Sequence, residues 1–164
     1  GKWYTSFTDK LVLMTNTEFG YLGFYNNDLG QTPFERYFVG GDGIAVFQLD
    51  GREVVGLRGY ENNRLSSIAG GTIYNKFQLE LRYSITDSPS ASIYTLGFLE
   101  AGNSYDNFDT FNPFNVKRSA GLGVRIFMPA FGLLGIDFAH GFDPLPGQIE
   151  KSGWQTHFII GRQF

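Results

Sequence analysis

The chain has 164 residues, with 22 glycines, 17 phenylalanines, no cysteine and a formal net charge of −3. That is one domain's length. Charged residues make up 18% against roughly 25% in ordinary soluble domains, and glycine is about double its usual ~7%. This mixture excludes intrinsic disorder, disfavours a helical bundle and offers nucleic acid no basic face. Without cysteine there is no disulfide framework, thiolate zinc site or cysteine nucleophile. No run approaches the ~18 apolar residues of a spanning helix. Gly1-Lys2-Trp3-Tyr4 carries no apolar signal core, and with no initiating methionine the chain reads as an excised or processed piece of something longer.

Period-two alternation, the mark of strands with two unlike faces, recurs along the chain. Residues 2–8 form a weak strand. Residues 10–25 set Leu11, Leu13, Phe19 and Tyr21 against Asn16, Glu18 and Gly20. The clearest case is 73–86, where Ile73, Phe77, Leu79, Leu81, Tyr83 and Ile85 oppose Lys76, Gln78, Glu80, Arg82 and Ser84. A weaker strand covers 91–102. In 116–128, Ala120, Leu122, Val124, Ile126 and Met128 oppose Lys117, Ser119, Gly121, Gly123 and Arg125. In 132–142, Leu134, Ile136, Phe138 and Phe142 oppose Gly135, Asp137, Ala139 and Gly141. In 154–164, Trp154, Thr156, Phe158, Ile160 and Phe164 oppose Gln155, His157, Gly161 and Gln163.

The connections alternate in length. Segments 8–10, 87–90 and 129–131 are short, whereas 26–71, 103–115 and 143–152 are long and rich in Asn, Gly, Pro and Asp. Long strands with short turns at one end and long loops at the other describe a transmembrane β-barrel. Trp3, Tyr21, Tyr83, Trp154 and Phe164 lie near strand ends, where interfacial girdles form. Alternation alone also suits a soluble antiparallel barrel such as a ligand-binding calyx. The large aromatic apolar face and the strand lengths favour the membrane barrel. Seven strands is an odd number for a single-chain bacterial barrel. Either the long segment supplies an eighth, with Ile44–Leu49 the candidate, or the chain is one arc of a larger barrel.

Segment 26–71 is far longer than a barrel turn needs, and loops of that size are functional or disordered. Its apolar pieces, Phe34, Tyr37-Phe38-Val39, Ile44-Ala45-Val46-Phe47 and Val54-Val55, point to a loop that folds back and packs. Within it stands Gly56-Leu57-Arg58-Gly59-Tyr60. Leu57-Arg58-Gly59-Tyr60 resembles the (V/L)-R-G-(F/Y) signature in the long loop six of the BamA-type outer-membrane insertases, a superfamily with POTRA domains ahead of a sixteen-stranded barrel. Tyr37-Phe38-Val39-Gly40-Gly41 resembles the stretch leading into that signature. Phe77-Gln78-Leu79-Glu80-Leu81-Arg82-Tyr83 resembles the acidic strand after it. Gly97-Phe98-Leu99-Glu100-Ala101-Gly102 resembles the F-x-D-x-G strand, with glutamate in place of the more usual aspartate. Arg118-Ser119-Ala120-Gly121-Leu122-Gly123 with Met128-Pro129 resembles the S-x-G-x-G strand, and Phe158-Ile159-Ile160-Gly161-Arg162-Gln163-Phe164 the terminal β-signal. The motifs run collinearly over the whole chain. The loop's composition resembles that of Bacteroidota assembly proteins.

The resemblance implies an all-β, antiparallel transmembrane barrel: the C-terminal half of sixteen strands, about seven or eight of them, with an inward-folded loop at 26–71. Residues 1–164 would then be the C-terminal barrel segment, with the POTRA domains and first strands absent from this chain. It implies a bacterial outer-membrane assembly factor that folds and inserts β-barrel clients. Its partners would be outer-membrane lipids, unfolded barrel clients and accessory assembly lipoproteins, with no nucleic acid, no cofactor and no metal. The unpaired edges of such a fragment would also favour self-association. The loop motif Leu57, Arg58, Gly59 and Tyr60 would reach into the barrel, where Arg58 pairs with Glu80 and Glu100 while Phe98 and Tyr60 shield the pair. Guanidinium suits this because its fork binds carboxylates bidentately and keeps its charge. A lone loop arginine is ordinarily solvated; the surrounding motifs set this one apart. Phe158, Gly161 and Phe164 would form the terminal strand and its weak lateral seam. Gly161 either loosens that seam or only relieves crowding in the lumen. A polypeptide-translocating pore of the same superfamily and a small stand-alone porin or ligand-binding barrel are the alternative readings.

Enzyme chemistry finds little support. Glu80 and Glu100 as a glycosidase pair conflict with the cation expected between them, which would lower the carboxyl pKa and leave both acids without the proton a general acid needs. His140 and His157, with Asp137 or Asp143, lack a nucleophile-elbow serine, and parity sends His140 to the lipid side and His157 to the lumen. Gly40-Gly41-Asp42-Gly43 lacks the Lys-Ser/Thr of a phosphate loop, and no metal-ligand spacing stands out. An eight-stranded closure leaves an interior too narrow for the whole loop, so in that closure Arg58 would lose at least one of its two acidic partners.

Overall fold

The structure, a computed structural model, describes residues 1–23, 35–44, 52–88, 90–129 and 132–161. Seven strands form one antiparallel meander: β1 (Lys2–Ser6), β2 (Leu11–Tyr21), β5 (Ile73–Asp87), β6 (Ser92–Tyr105), β7 (Lys117–Met128), β8 (Gly132–Pro144) and β9 (Lys151–Gly161). The sheet is open, with β1 and β9 as its edges among the described residues. Six of these strands have 11 to 15 residues, enough for the ~9–11 that cross a bilayer when tilted. No described helix is long and apolar enough to do so.

Register turns the alternation into two faces. One cross-strand row runs Thr5, Leu13, Leu81, Gly97, Leu122, Phe138, Thr156. With its neighbours it forms an outward surface on which Phe77, Leu79, Leu81, Tyr83, Leu99, Leu122, Phe138 and Phe158 are all exposed. Such a stretch of uncovered apolar side chains belongs against lipid. The next row, Tyr4, Met14, Glu80, Phe98, Gly121, Ala139, Gln155, faces inward. Trp3, Tyr21, Tyr83 and Trp154 are exposed on the outer side, as expected of a girdle.

Among its described residues the long segment adds no strand to this sheet. It holds β3 (Tyr37–Val39) and β4 (Glu53–Val55), a short parallel pair. The expected strand Ile44–Leu49 is not seen at Ile44, and its remainder lies outside the described residues, as does Phe34. A core of Tyr37, Val39, Val55, Leu57, Tyr60 and Leu65, packed with Tyr74 of β5 and Leu145, gives the loop an interior of its own. Backbone bonds from Gly40 to Val55 and from Gly41 to Leu57 tie its halves together.

Several expected strand limits need correction. β2 ends at Tyr21, short of the expected limit at 25. β9 begins at Lys151, not Trp154, because Gly153 (φ +74°) and a register shift beside Pro144 interrupt the alternation without ending the strand. β6 continues to Tyr105, past the limit at 102. Among the described residues the sheet has seven strands and is not closed. With seven strands in an open sheet, the loop has room inside and Arg58 is free to meet both expected partners.

Candidate functional site

The site lies where the turn after β4 meets the inner wall. The wall is built small there: Ser119, Gly121 and Gly123 on β7 face Ala139 and Gly141 on β8. A Cβ on Gly121 would run into the Phe98 ring, and one on Gly141 into the carbonyl of Gly59. These small residues leave the hollow that Leu57–Tyr60 fills. Gly59 itself has φ +87°, and a Cβ there would lie 2.8 Å from that of Ser119 and 3.0 Å from the Gly141 amide nitrogen. Only glycine fits both the left-handed backbone and the contact.

Arg58 extends from this turn into a ring of carboxylates. Its Nη2 lies 2.6 Å from Glu100 and 3.0 Å from Glu80, its Nη1 2.9 Å from Asp137, and its Nε donates to Glu100 at 2.9 Å. The Arg58 amide also donates to Glu100, at 2.8 Å. The Arg58 side chain is 6% exposed and those of Glu80, Glu100 and Asp137 5%, 1% and 0%. The Phe98 ring covers the guanidinium, its centroid 3.5 Å from Cζ, a stacked cation–π contact. Burial opposes the charge on Arg58, but Glu100, Glu80 and Asp137 outweigh it and hold the group protonated even more firmly than usual.

The cluster is electrically balanced. Arg82 bonds Glu80 from the same strand at 2.9 and 3.0 Å, and Arg125 bonds Asp137 at 2.5 and 2.7 Å. Three guanidinium groups thus meet three carboxylates, so each acid keeps a cation and a low-dielectric interior does not strand charge. Two further bonds reach the remaining strands. The Tyr60 hydroxyl donates to the Arg118 carbonyl on β7 at 2.6 Å. The Gly59 amide donates to Nε2 of His157, on β9, at 2.9 Å. One four-residue turn is therefore fastened to every strand from β5 to β9.

The structure brings together Leu57, Arg58, Gly59, Tyr60, Glu80, Phe98 and Glu100. Sequence reasoning missed Asp137 and Arg125 as members of the charge cluster and His157 as the turn's acceptor. Phe158 is on β9, far from the cluster in role: it points outward and is 59% exposed. A Cβ on Gly161 would meet nothing within 4 Å, so crowding does not require glycine there. Phe164 lies outside the described residues. His140 sits on the outer face between the rings of Phe142 and Trp154, apart from His157. Among the described residues no group of three or more His, Asp or Glu is arranged to hold a metal ion.

The model of the Omp85 superfamily domain matches residues 1–164. The chain belongs to the Omp85 superfamily. This is a group of bacterial outer-membrane insertases and translocators, and membership agrees with the sheet's apolar outer face and charged inner one. In this Omp85 chain the apolar wall is the lipid-facing wall and the Arg58 cluster lies on the lumen side. A search of curated proteins found none that matches.

Proposed function

We propose that this Omp85 chain is part of an assembly factor that folds β-barrel clients and inserts them into the outer membrane, and that it catalyses no covalent chemistry. In this reading the Arg58 cluster is a latch that keeps the loop seated on the lumen wall. β9, with Phe158 and Gly161, borders a lateral seam. An opened seam presents unpaired backbone groups, which template pairing with a client strand. Lipids, unfolded barrel clients and, in the intact protein, accessory lipoproteins are its partners.

The observation that carries the reading is the reach of one loop turn. Arg58 engages β5, β6 and β8, while Gly59 bonds β9. The loop's seat and the edge strand are thus mechanically joined, as a seam regulated from inside requires. The test is insertion of an unfolded barrel client into liposomes holding the intact protein. Accelerated client insertion that falls in Arg58→Ala supports the assignment. Ion conductance or polypeptide passage without client insertion supports the translocating pore instead.

A further inference from the structure

The connection between β6 and β7 does not rise into water like an ordinary surface loop. It turns back and lies on the outside of the sheet. Outward-facing polar side chains near the upper strand ends hold it there. Asn75 of β5 donates to the Pro113 carbonyl at 3.1 Å, and Asn103 of β6 to that of Asn115 at 2.8 Å. The Tyr105 hydroxyl sits 2.5 and 2.8 Å from the carbonyls of Asn112 and Asn115. Aromatic contacts complete the seat: Phe111 meets Phe19 and Tyr105 edge-on at 5.7 and 5.1 Å, and Phe108 meets Tyr21 at 4.6 Å. Asn75 and Asn103, otherwise polar groups on a lipid-facing wall, become buried at 3% and 8% exposure.

The loop accepts from the side-chain amides of both asparagines, though Asn75 Oδ1 stays without a partner, and it turns its own apolar side chains outward. Phe108 is 54% exposed and Phe114 90%. Their height on the wall decides what they meet. Going up β5 from Ile85 to Asn75 at about 3.3 Å per residue, with a tilt near 40°, covers about 25 Å, the height of the apolar band of an outer-membrane barrel. Phe114, next to the Pro113 that Asn75 holds, therefore stands at the upper margin of the hydrocarbon, on the wall that also exposes Phe19 and Phe77. We propose that residues 106–116 form a membrane-interface wedge, in which Phe108 and Phe114 insert among the outer-leaflet acyl chains and fix the depth of this part of the wall. Bulk water would be a poor environment for two such rings, whereas the interface takes aromatic side chains readily. The proposal rests on the lipid-facing wall alone and is independent of what the barrel transports or inserts.

The chain has no cysteine, so a single nitroxide can be attached without removing others from it. The intact protein is reconstituted in phosphatidylcholine vesicles carrying Phe114→Cys, with Phe108→Cys as a second site. Glu61→Cys, at an exposed position of the long loop, is the aqueous reference. The expected ratio of oxygen to nickel-chelate collisions is several-fold higher at 114 and 108 than at 61. Equal ratios would overturn the wedge by placing these rings in water. Labels shielded from both reagents would overturn it as well, since a protein partner would then cover them.

Discussion

Replacing Arg58 with alanine removes the cation that reaches all three acids. The consequences for the acids differ. Glu80 keeps Arg82 and Gln78, and Asp137 keeps Arg125. Glu100 loses its guanidinium and keeps the residue-58 amide, which itself departs if the turn moves, with Lys76 in the same cavity as its remaining nearby cation. Removing one partner from a buried pair costs about 3–5 kcal/mol, and the lower end applies if lumen water follows into the gap. At 1.4 kcal/mol per tenfold, the loop's docking equilibrium weakens by about two to three and a half powers of ten. Hydrogen exchange in the intact protein reads this directly: amides of residues 52–66 should exchange faster by that factor, while the ladders of β5 to β8 stay protected. Arg58→Ala combined with Glu100→Gln should recover part of the loss, because the stranded charge is gone. Unchanged exchange at 52–66 in Arg58→Ala would refute the reasoning.

Other consequences follow from single contacts. Gly59→Ala forces a Cβ against Ser119 and the Gly141 backbone and imposes a left-handed φ on alanine; loop exchange should rise about as much as in Arg58→Ala, with strand content by infrared spectroscopy unchanged. His157→Leu leaves the Gly59 amide without its acceptor, at a cost of about 1–3 kcal/mol for a buried donor; proteolysis at the β9 edge should quicken while exchange near Arg58 barely changes. His157→Gln, which keeps an acceptor, should restore much of the resistance. Phe98→Leu removes the ring over the guanidinium and costs about 1–2 kcal/mol, read as a smaller rise in loop exchange than Arg58→Ala produces.

Alternation announced the sheet because each spanning strand has one side in lipid and one in the lumen. It failed where that condition fails. Ile73 and Asn75 share the outward parity of Phe77, yet both are buried, Asn75 because the 106–116 loop lies over it. Glycine and a register shift hid the start of β9. Glu80 and Glu100 were legible through the motifs that carry them. Asp137, Arg125 and His157 were not, because register alone assembles them. Asp137 faces His157 across β8 and β9, and Gly123 stands beside it on β7. The available signal was modest: an acid and an arginine on inward parity, next to glycines that leave their side chains room to meet.

The most direct test is a density map of the intact protein in a lipid nanodisc. The account predicts Arg58 between Glu80, Glu100 and Asp137 inside the lumen, with Phe77, Leu79 and Leu81 against acyl chains. A map with the Arg58 side chain in open solvent, or with Leu79 and Leu81 packed into a dry protein interior, would contradict it.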